Sequence, residues 1–338
     1  MRTRLINRRL INRKRISAYT AVLAVLAGGL VAIAAPAAAA TTSTATAGHD
    51  HGHSQRHGQN LWVTVTGDGS HARVSDRHLR PGWVTLHVAD HTSPTIGVQL
   101  TVVRMRDHYS VQRLLHDIGV QVAGNATPAQ AAASTRDIDR IAVAYGGADV
   151  VGNQGNFRSN RVNLNHPGRY YLVNSGAKNG PAAVGRLEVR GHWWSSADGD
   201  DWSRHHQRVS GTISLGNGTA DTITLSGRMP SYGTVRVRNN GDSIHLLQIT
   251  NVANGVTDAQ VQAEYAILMA GGKPTSDPAG LFTPRSVTTG IDAISVGHYS
   301  VFSYRLPKGS YLLQCFVADA ETGIPHAFMG MHLVVHVH

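Results

Sequence analysis

The sequence predicts an all-β protein made of two similar domains, each carrying short helical insertions. Three observations predict it. Glycine is abundant, at 36 of 338 residues, and short runs of Val, Thr and Ile alternate with polar residues between Gly/Asn/Asp turns, the pattern of half-buried strands. Helical periodicity is confined to short stretches, chiefly residues 110–118 and 258–269. The same order of segments also occurs twice, and self-similarity at this length points to duplicated domains rather than a short-repeat solenoid.

The first forty residues stand apart. Arg2, Arg4, Arg8, Arg9, Arg13, Lys14 and Arg15 form a basic stretch, an apolar run covers 21–35, and Pro36 with four alanines follows. Small residues at −3 and −1 mark a signal-peptidase site, so 1–40 reads as an export signal and the mature chain as secreted or extracytoplasmic, with no stable membrane anchor. Seven of the 31 Lys and Arg lie there, leaving 24 against 21 acidic residues. The formal charge of +10 therefore belongs largely to the signal, and nucleic-acid binding is not expected. Residues 41–59 form a flexible tail whose His49, His51, His53 and His57 can chelate divalent metals.

The two copies then run as 60–190 and 209–338. Strands are expected at 61–66, 83–88 and 98–103 in the first, and at 234–238 and 247–252 in the second. Each copy next offers a helical segment and a Gly/Pro-rich excursion. The closing pieces match as well: Asn-His-Pro-Gly-Arg-Tyr-Tyr-Leu-Val-Asn (165–174) aligns with Leu-Pro-Lys-Gly-Ser-Tyr-Leu-Leu-Gln-Cys (306–315). Residues 191–208 are a polar linker, and its Trp193, Trp194 and Trp202 are expected to pack between the copies.

Cys315 is the single cysteine, so an exported chain cannot pair it internally. Strands at 311–317 and 331–337 bracket a loop at 318–330, which places Cys315, His326 and Met331 where they can converge, with Met329 as a competing thioether. His245 begins a strand after the turn residues Asn239-Asn-Gly-Asp and is the candidate fourth donor. A thiolate, two imidazoles and a weak thioether are the donors that suit copper in both oxidation states. Cys315 as a buried hydrophobe, and Met331 as core, are the alternatives. His332, His336 and His338 alternate with apolar residues and read as the wet face of an edge strand.

These motifs resemble the cupredoxin family, in particular plastocyanin and pseudoazurin. Asn239-Asn240 followed by His245 looks like the turn and first copper histidine. Pro307-Lys-Gly-Ser-Tyr-Leu-Leu-Gln-Cys315 is similar to the Pro-Gly-x-Tyr-x-x-x-Cys segment, and Pro325-His326 through Gly330-Met331 to the Pro-His-x-x-x-Gly-Met segment. The resemblance covers 234–338. It implies two Greek-key cupredoxin-like β-sandwiches and one copper ion in a type 1 site, with His245, Cys315 and His326 equatorial and Met331 axial. One departure stands out: ten residues separate Cys315 from His326, where plastocyanin-like proteins have two. In the first copy Ile96 is expected at the His245 position, Asn174 at Cys315, Ala182 at His326 and Arg186 at Met331, so that copy carries no ligands.

The function implied is an exported one-electron carrier with a redox protein as partner. Electrons would pass through a partly exposed edge of His326, inside an apolar rim of Ile324, Pro325, Ala327, Phe328 and Met329. Copper storage or delivery, and a metal-free structural or interaction role, are the alternatives. Two-domain copper oxidases and nitrite reductases need further histidines, one beside the cysteine. Gln314 and Phe316 flank Cys315 here, so the chain is not expected to be an enzyme.

Overall fold

The computed structural model describes residues 59–93, 96–150, 157–191, 209–272 and 288–338. The expected signal, most of the expected histidine tail and the tryptophans at 193, 194 and 202 lie outside the described residues. The first half runs β1 (Gln59–Gly67), β2 (His71–Val74), β3 (His78–Leu79), β4 (Gly82–Thr92), β5 (Val98–Met105), α1 (Val111–Val122), α2 (Pro128–Ile141), β6 (Ala142–Val150), β7 (Phe157–Leu164), β8 (Gly168–Asn174) and β9 (Ala182–Val189). The second runs β10 (Gly211–Gly218), β11 (Ala220–Gly227), β12 (Tyr232–Gly241), β13 (His245–Val252), α3 (Asp258–Met269), β14 (Thr288–Ile294), β15 (Tyr299–Arg305), β16 (Gly309–Gln314) and β17 (His332–Val337).

Alternation along these strands builds an all-β sandwich of two sheets. One has the order β11-β10-β12-β15-β7-β4-β1-β2, the other β17-β16-β13-β14-β6-β5-β8-β9-β3. Both sheets run unbroken through the two halves, joined where Phe302 of β15 faces Asn160 of β7 and Gly290 of β14 faces Asp149 of β6. Two main apolar cores form, one in each half, and a smaller cluster beneath α1 and α2 takes in Ile244 of the second half. One main core gathers Leu61, Val84, Leu100, Tyr170 and their neighbours, the other Ile213, Val237, Leu247, Phe302 and theirs. Each fully buried Val, Leu or Ile contributes about 1.5–3 kcal/mol.

The duplication is visible in the hydrogen bonds. Strand β1 pairs in parallel with β4, as β10 does with β12. The Tyr170 hydroxyl donates to the His166 carbonyl, and Tyr311 to Pro307, each four residues back, at 2.7 and 2.8 Å. Thr101 faces Val173 in the first half, and Gln248 faces Gln314 in the second. This register places Val98, not Ile96, at the position of His245, because β5 and β13 align two residues away from the sequence match. Asn174 fills the cysteine position with backbone cross-links: its carboxamide accepts from Gln99 N and donates to the Gly69 carbonyl.

The helices differ from expectation in one place. The excursion after α1 holds a second helix, α2, which alanines favour and a Thr127/Gln130 capping box with Pro128 in the first turn starts. Strand β17 is an edge strand, and His336 and His338 are exposed as expected. His332 is instead buried, because α3 packs over it and presents Asp258 and Gln262 to its ring nitrogens at 3.4 and 3.0 Å.

Candidate metal centre

The turn leading to His245 is fastened by one side chain. Buried Asn239 donates to the carbonyls of Ser243 and Ile294, both at 2.8 Å, and accepts from Gly241 N at 2.9 Å. This delivers His245, fully buried, at the first position of β13. Close packing beneath it needs glycine: a Cβ at Gly241 would lie 3.1 Å from His245 Cδ2 and closer still to Nε2.

Strand β16 ends at Gln314, so Cys315 sits just beyond it, fully buried and free. Its amide donates to the Met331 carbonyl at 3.3 Å, and Leu246 N donates to its sulfur at 3.5 Å. The ten intervening residues do not carry His326 away. They form a hairpin: His326 N donates to the Val317 carbonyl at 2.9 Å, Ala318 bridges Pro325, and Ala327 N donates to the Cys315 carbonyl at 2.7 Å. Asp319 closes the tip by accepting from Thr322 N and Oγ1, both at 2.6 Å. The added residues project outward, and the hairpin base returns His326 beside Cys315.

The first half holds that hairpin in place. Thr135 of α2 donates to the Ala318 carbonyl at 2.7 Å, Arg136 to the Ala320 carbonyl, and Gln121 of α1 accepts from Ala318 N at 3.3 Å. Gly323, at φ +69°, lies so close to the start of α2 that a Cβ would sit 2.8 Å from Pro128 Cα. The first half of the chain therefore clamps this loop of the second.

Three donor atoms meet as a result. His245 Nδ1 is 3.2 Å from His326 Nδ1, and Cys315 Sγ is 3.8 and 3.7 Å from the two nitrogens. An ion bonded at about 2.0 Å to nitrogen and about 2.3 Å to sulfur in a trigonal plane would separate the nitrogens by about 3.5 Å and each nitrogen from sulfur by about 3.7 Å. The triangle therefore fits one ion, and its donor set of two imidazoles and a thiolate is consistent with one copper ion in a type 1 site. Met331 is fully buried in the apolar cluster that contains Cys315. Met329 is 43% exposed, and its sulfur accepts from Thr322 Oγ1 at 3.6 Å.

Burial sets the protonation states. It pushes His245 down to about 3, helped by His326, and His326 down to about 4, against the opposing pull of Asp319 and Asp242. Both imidazoles are neutral at pH 7, the form that binds metal. Burial pushes the Cys315 thiol up to about 12, partly countered by Leu246 N.

Two expectations about the surface are corrected. His326 has no exposed edge, being fully buried, and of the proposed rim Pro325, Ala327 and Phe328 are buried as well. One cause is the 3-10 turn His326–Met329 after the hairpin, which turns Ala327 and Phe328 inward against α3, where Phe328 packs on Tyr265. Sequence reasoning also missed Asp221 of β11, whose Oδ1 lies 4.0 Å from His245 Nε2 and 3.8 Å from His326 Nε2. Its signal was the Gly216-Asn-Gly218 run just before it.

Fold and donor group together describe a two-sheet, all-β sandwich holding a buried His-Cys-His set of donors that fits one copper ion. No family profile and no curated protein sequence matches the chain. Among solved structures it is similar to auracyanin B, at 18% identity over 40% of this chain and 91% of that one, with a TM-score of 0.24. It is likewise similar to the auracyanin of Roseiflexus castenholzii, at 18% identity over 38% of this chain and 94% of that one, TM-score 0.23. Over a longer span it is similar to the copper nitrite reductase of Nitrosomonas europaea, at 9% identity over 82% of this chain and 93% of that one, TM-score 0.19. Multicopper oxidases occur in the same group of matches. These are enzymes, so the expectation that the chain is not an enzyme, drawn from the residues beside Cys315, is withdrawn. Likeness at these scores carries no argument about substrate or reaction.

Proposed function

We propose that the chain is an exported one-electron carrier whose mononuclear type 1 copper centre is held by His245, Cys315 and His326, with Met331 as the weak axial ligand and a redox protein as partner. The observation that supports this most is the buried triangle of Nδ1, Nδ1 and Sγ, spaced 3.2, 3.7 and 3.8 Å. Bound copper would supply a one-electron couple between Cu(I) and Cu(II).

The chain's own residues do the rest. The Asn239 turn and the hairpin at 318–325 fix both imidazoles, so the donors need not rearrange when an electron arrives. Leu246 N donates to the sulfur and stabilises its thiolate form. Complete burial of all three donors keeps water out of the centre. Met331 is favoured over Met329 because it shares the buried cluster of Cys315, whereas Met329 faces outward.

Residues 41–338, loaded with Cu(II), are expected to show an intense visible thiolate-to-copper band. That band should survive deletion of 41–58 and vanish in Cys315→Ser. A colourless protein that binds copper through the tail alone would overturn the reading in favour of storage or delivery.

A further inference from the structure

The metal triangle uses the inner nitrogen of each imidazole, which leaves the proton of each neutral ring on Nε2. Both outer nitrogens are buried, and neither has a hydrogen-bond partner among the described residues. A buried N–H without an acceptor is costly, so two on adjacent rings call for an explanation. The rings lie 4.7 Å apart, edge to face, and their Nε2 atoms converge on a single oxygen, Asp221 Oδ1, at 4.0 and 3.8 Å.

The approach of Asp221 is built into the backbone. Strand β10 is irregular between Leu215 and Gly218 in its pairing with β12, and Gly216 and Gly218 adopt φ +72° and +61°. Gly216 packs directly on Gly241, where a Cβ would meet Gly241 N at 2.7 Å and His245 Nε2 at 3.2 Å. Bulges of this kind re-aim side chains beside functional sites. Here the bulge folds the β10–β11 hairpin over the histidine pair and sets Asp221 against it. The Asp221 side chain is only 16% exposed, and no Lys or Arg pairs with it among the described residues. Asp319 and Asp242 are the nearby charges, both acidic.

We infer that Asp221 is a positioning residue of the copper centre, one carboxylate accepting from Nε2–H of both ligand histidines. A closing movement of about 1 Å brings both distances into hydrogen-bond range. The role rests on the copper reading above and extends it. A carboxylate behind a ligating histidine fixes its tautomer and raises its basicity. A negative charge facing two such rings favours the more positive ion, so Asp221 holds Cu(II) more tightly than Cu(I) and lowers the reduction potential.

The test compares Asp221→Asn and Asp221→Ala with the unaltered chain and with Glu321→Gln, an exposed acid of the 318–325 hairpin. Both Asp221 variants are expected to keep the thiolate band while losing about tenfold to a hundredfold in Cu(II) affinity. Each tenfold loss not shared by Cu(I) raises the potential by about 59 mV. Pulsed EPR of the remote imidazole nitrogens should change in both variants and not in Glu321→Gln. In the copper-free protein, ¹⁵N NMR should show two Nε2–H protons protected from exchange, with that protection lost in Asp221→Ala. Unchanged affinity, potential and remote-nitrogen signals in variants that retain the band would overturn the role of Asp221 and leave the copper reading intact. Should the unaltered chain show no thiolate band, the copper reading fails, and the ¹⁵N measurement still decides whether the carboxylate holds both rings. Stoichiometric binding of Zn(II) to the copper-loaded protein, lost in Asp221→Asn, would instead make Asp221, Asp319 and His326 a second cation site and overturn the inference.

Discussion

Gly241→Ala tests the centre at its tightest point. The new methyl group would stand 3.1 Å from His245 Cδ2 and nearer to Nε2, and Gly216 already packs so tightly on Gly241 that the backbone has little room to shift. Relief therefore has to come from the imidazole, which must move by about 1 Å to restore ordinary contact. Such overpacking costs about 1–3 kcal/mol. The larger effect falls on the donors: a nitrogen displaced by that much no longer lies 3.2 Å from His326 Nδ1 and 3.8 Å from Cys315 Sγ. Cu(II) affinity should fall by at least about a hundredfold, beyond the usual effect of losing an outer-shell partner. Competition titration with a chelator measures it, and urea unfolding of the copper-free variant measures the packing cost. Asn240→Ala, on the exposed neighbour, is the control and should change neither. A folded Gly241→Ala with full copper affinity and an unaltered visible band would refute the placement of His245 as a ligand.

Three further outcomes are expected. Gly323→Ala, which forces a side chain onto Pro128 at φ +69°, should lower the Tm and weaken Cu(II) binding together, because the clamp on the hairpin is what seats His326. Unchanged copper affinity in a destabilised variant would separate the two. With the Cys315 thiol at about 12 and the histidines neutral above about 4, thiolate binding displaces one proton, so apparent Cu(II) affinity should rise tenfold per pH unit from about pH 7 to 9, above the range in which Asp221 titrates. A flat profile would show that the sulfur is not a ligand. In the copper-free protein the two histidines titrate below their ordinary value of 6.5, so their contribution to stability is complete above that pH and is lost progressively from there as pH falls to and through about 4 and 3. Between pH 7 and 5 they should cost about 4 kcal/mol, of which Asp221, raised to about 6 and relieved on protonation, returns about 1 kcal/mol. Urea unfolding should show a pH dependence about 4 kcal/mol smaller in His245→Asn/His326→Asn, and an equal dependence in both proteins would contradict the burial of neutral rings.

Much of the architecture was legible in the chain because alternation and turn chemistry are local. Val-Thr-Leu-His-Val at 84–88 and Thr-Val-Arg-Val-Arg at 234–238 alternate as half-buried strands do, and they lie within β4 and β12 respectively. The capping box at Thr127 was equally local, yet the glycines and prolines around it obscured α2. Register was harder. The match of β5 to β13 by residue type missed by two positions, since pairing follows ladder hydrogen bonds rather than similarity.

The sequence by itself supplied the candidate donors: one thiol, two imidazoles and a thioether, each beside its own turn signal. It could not decide whether ten residues between Cys315 and His326 would part them, because loop length does not fix the distance between loop ends. The tertiary structure decided that, by folding the excess into a hairpin that α1 and α2 hold through Gln121 and Thr135. It also decided what stands behind the ligands. Asp221 lies 24 residues before His245 and 105 before His326 along the chain, and only the glycine bulge in β10 brings its carboxylate to both rings.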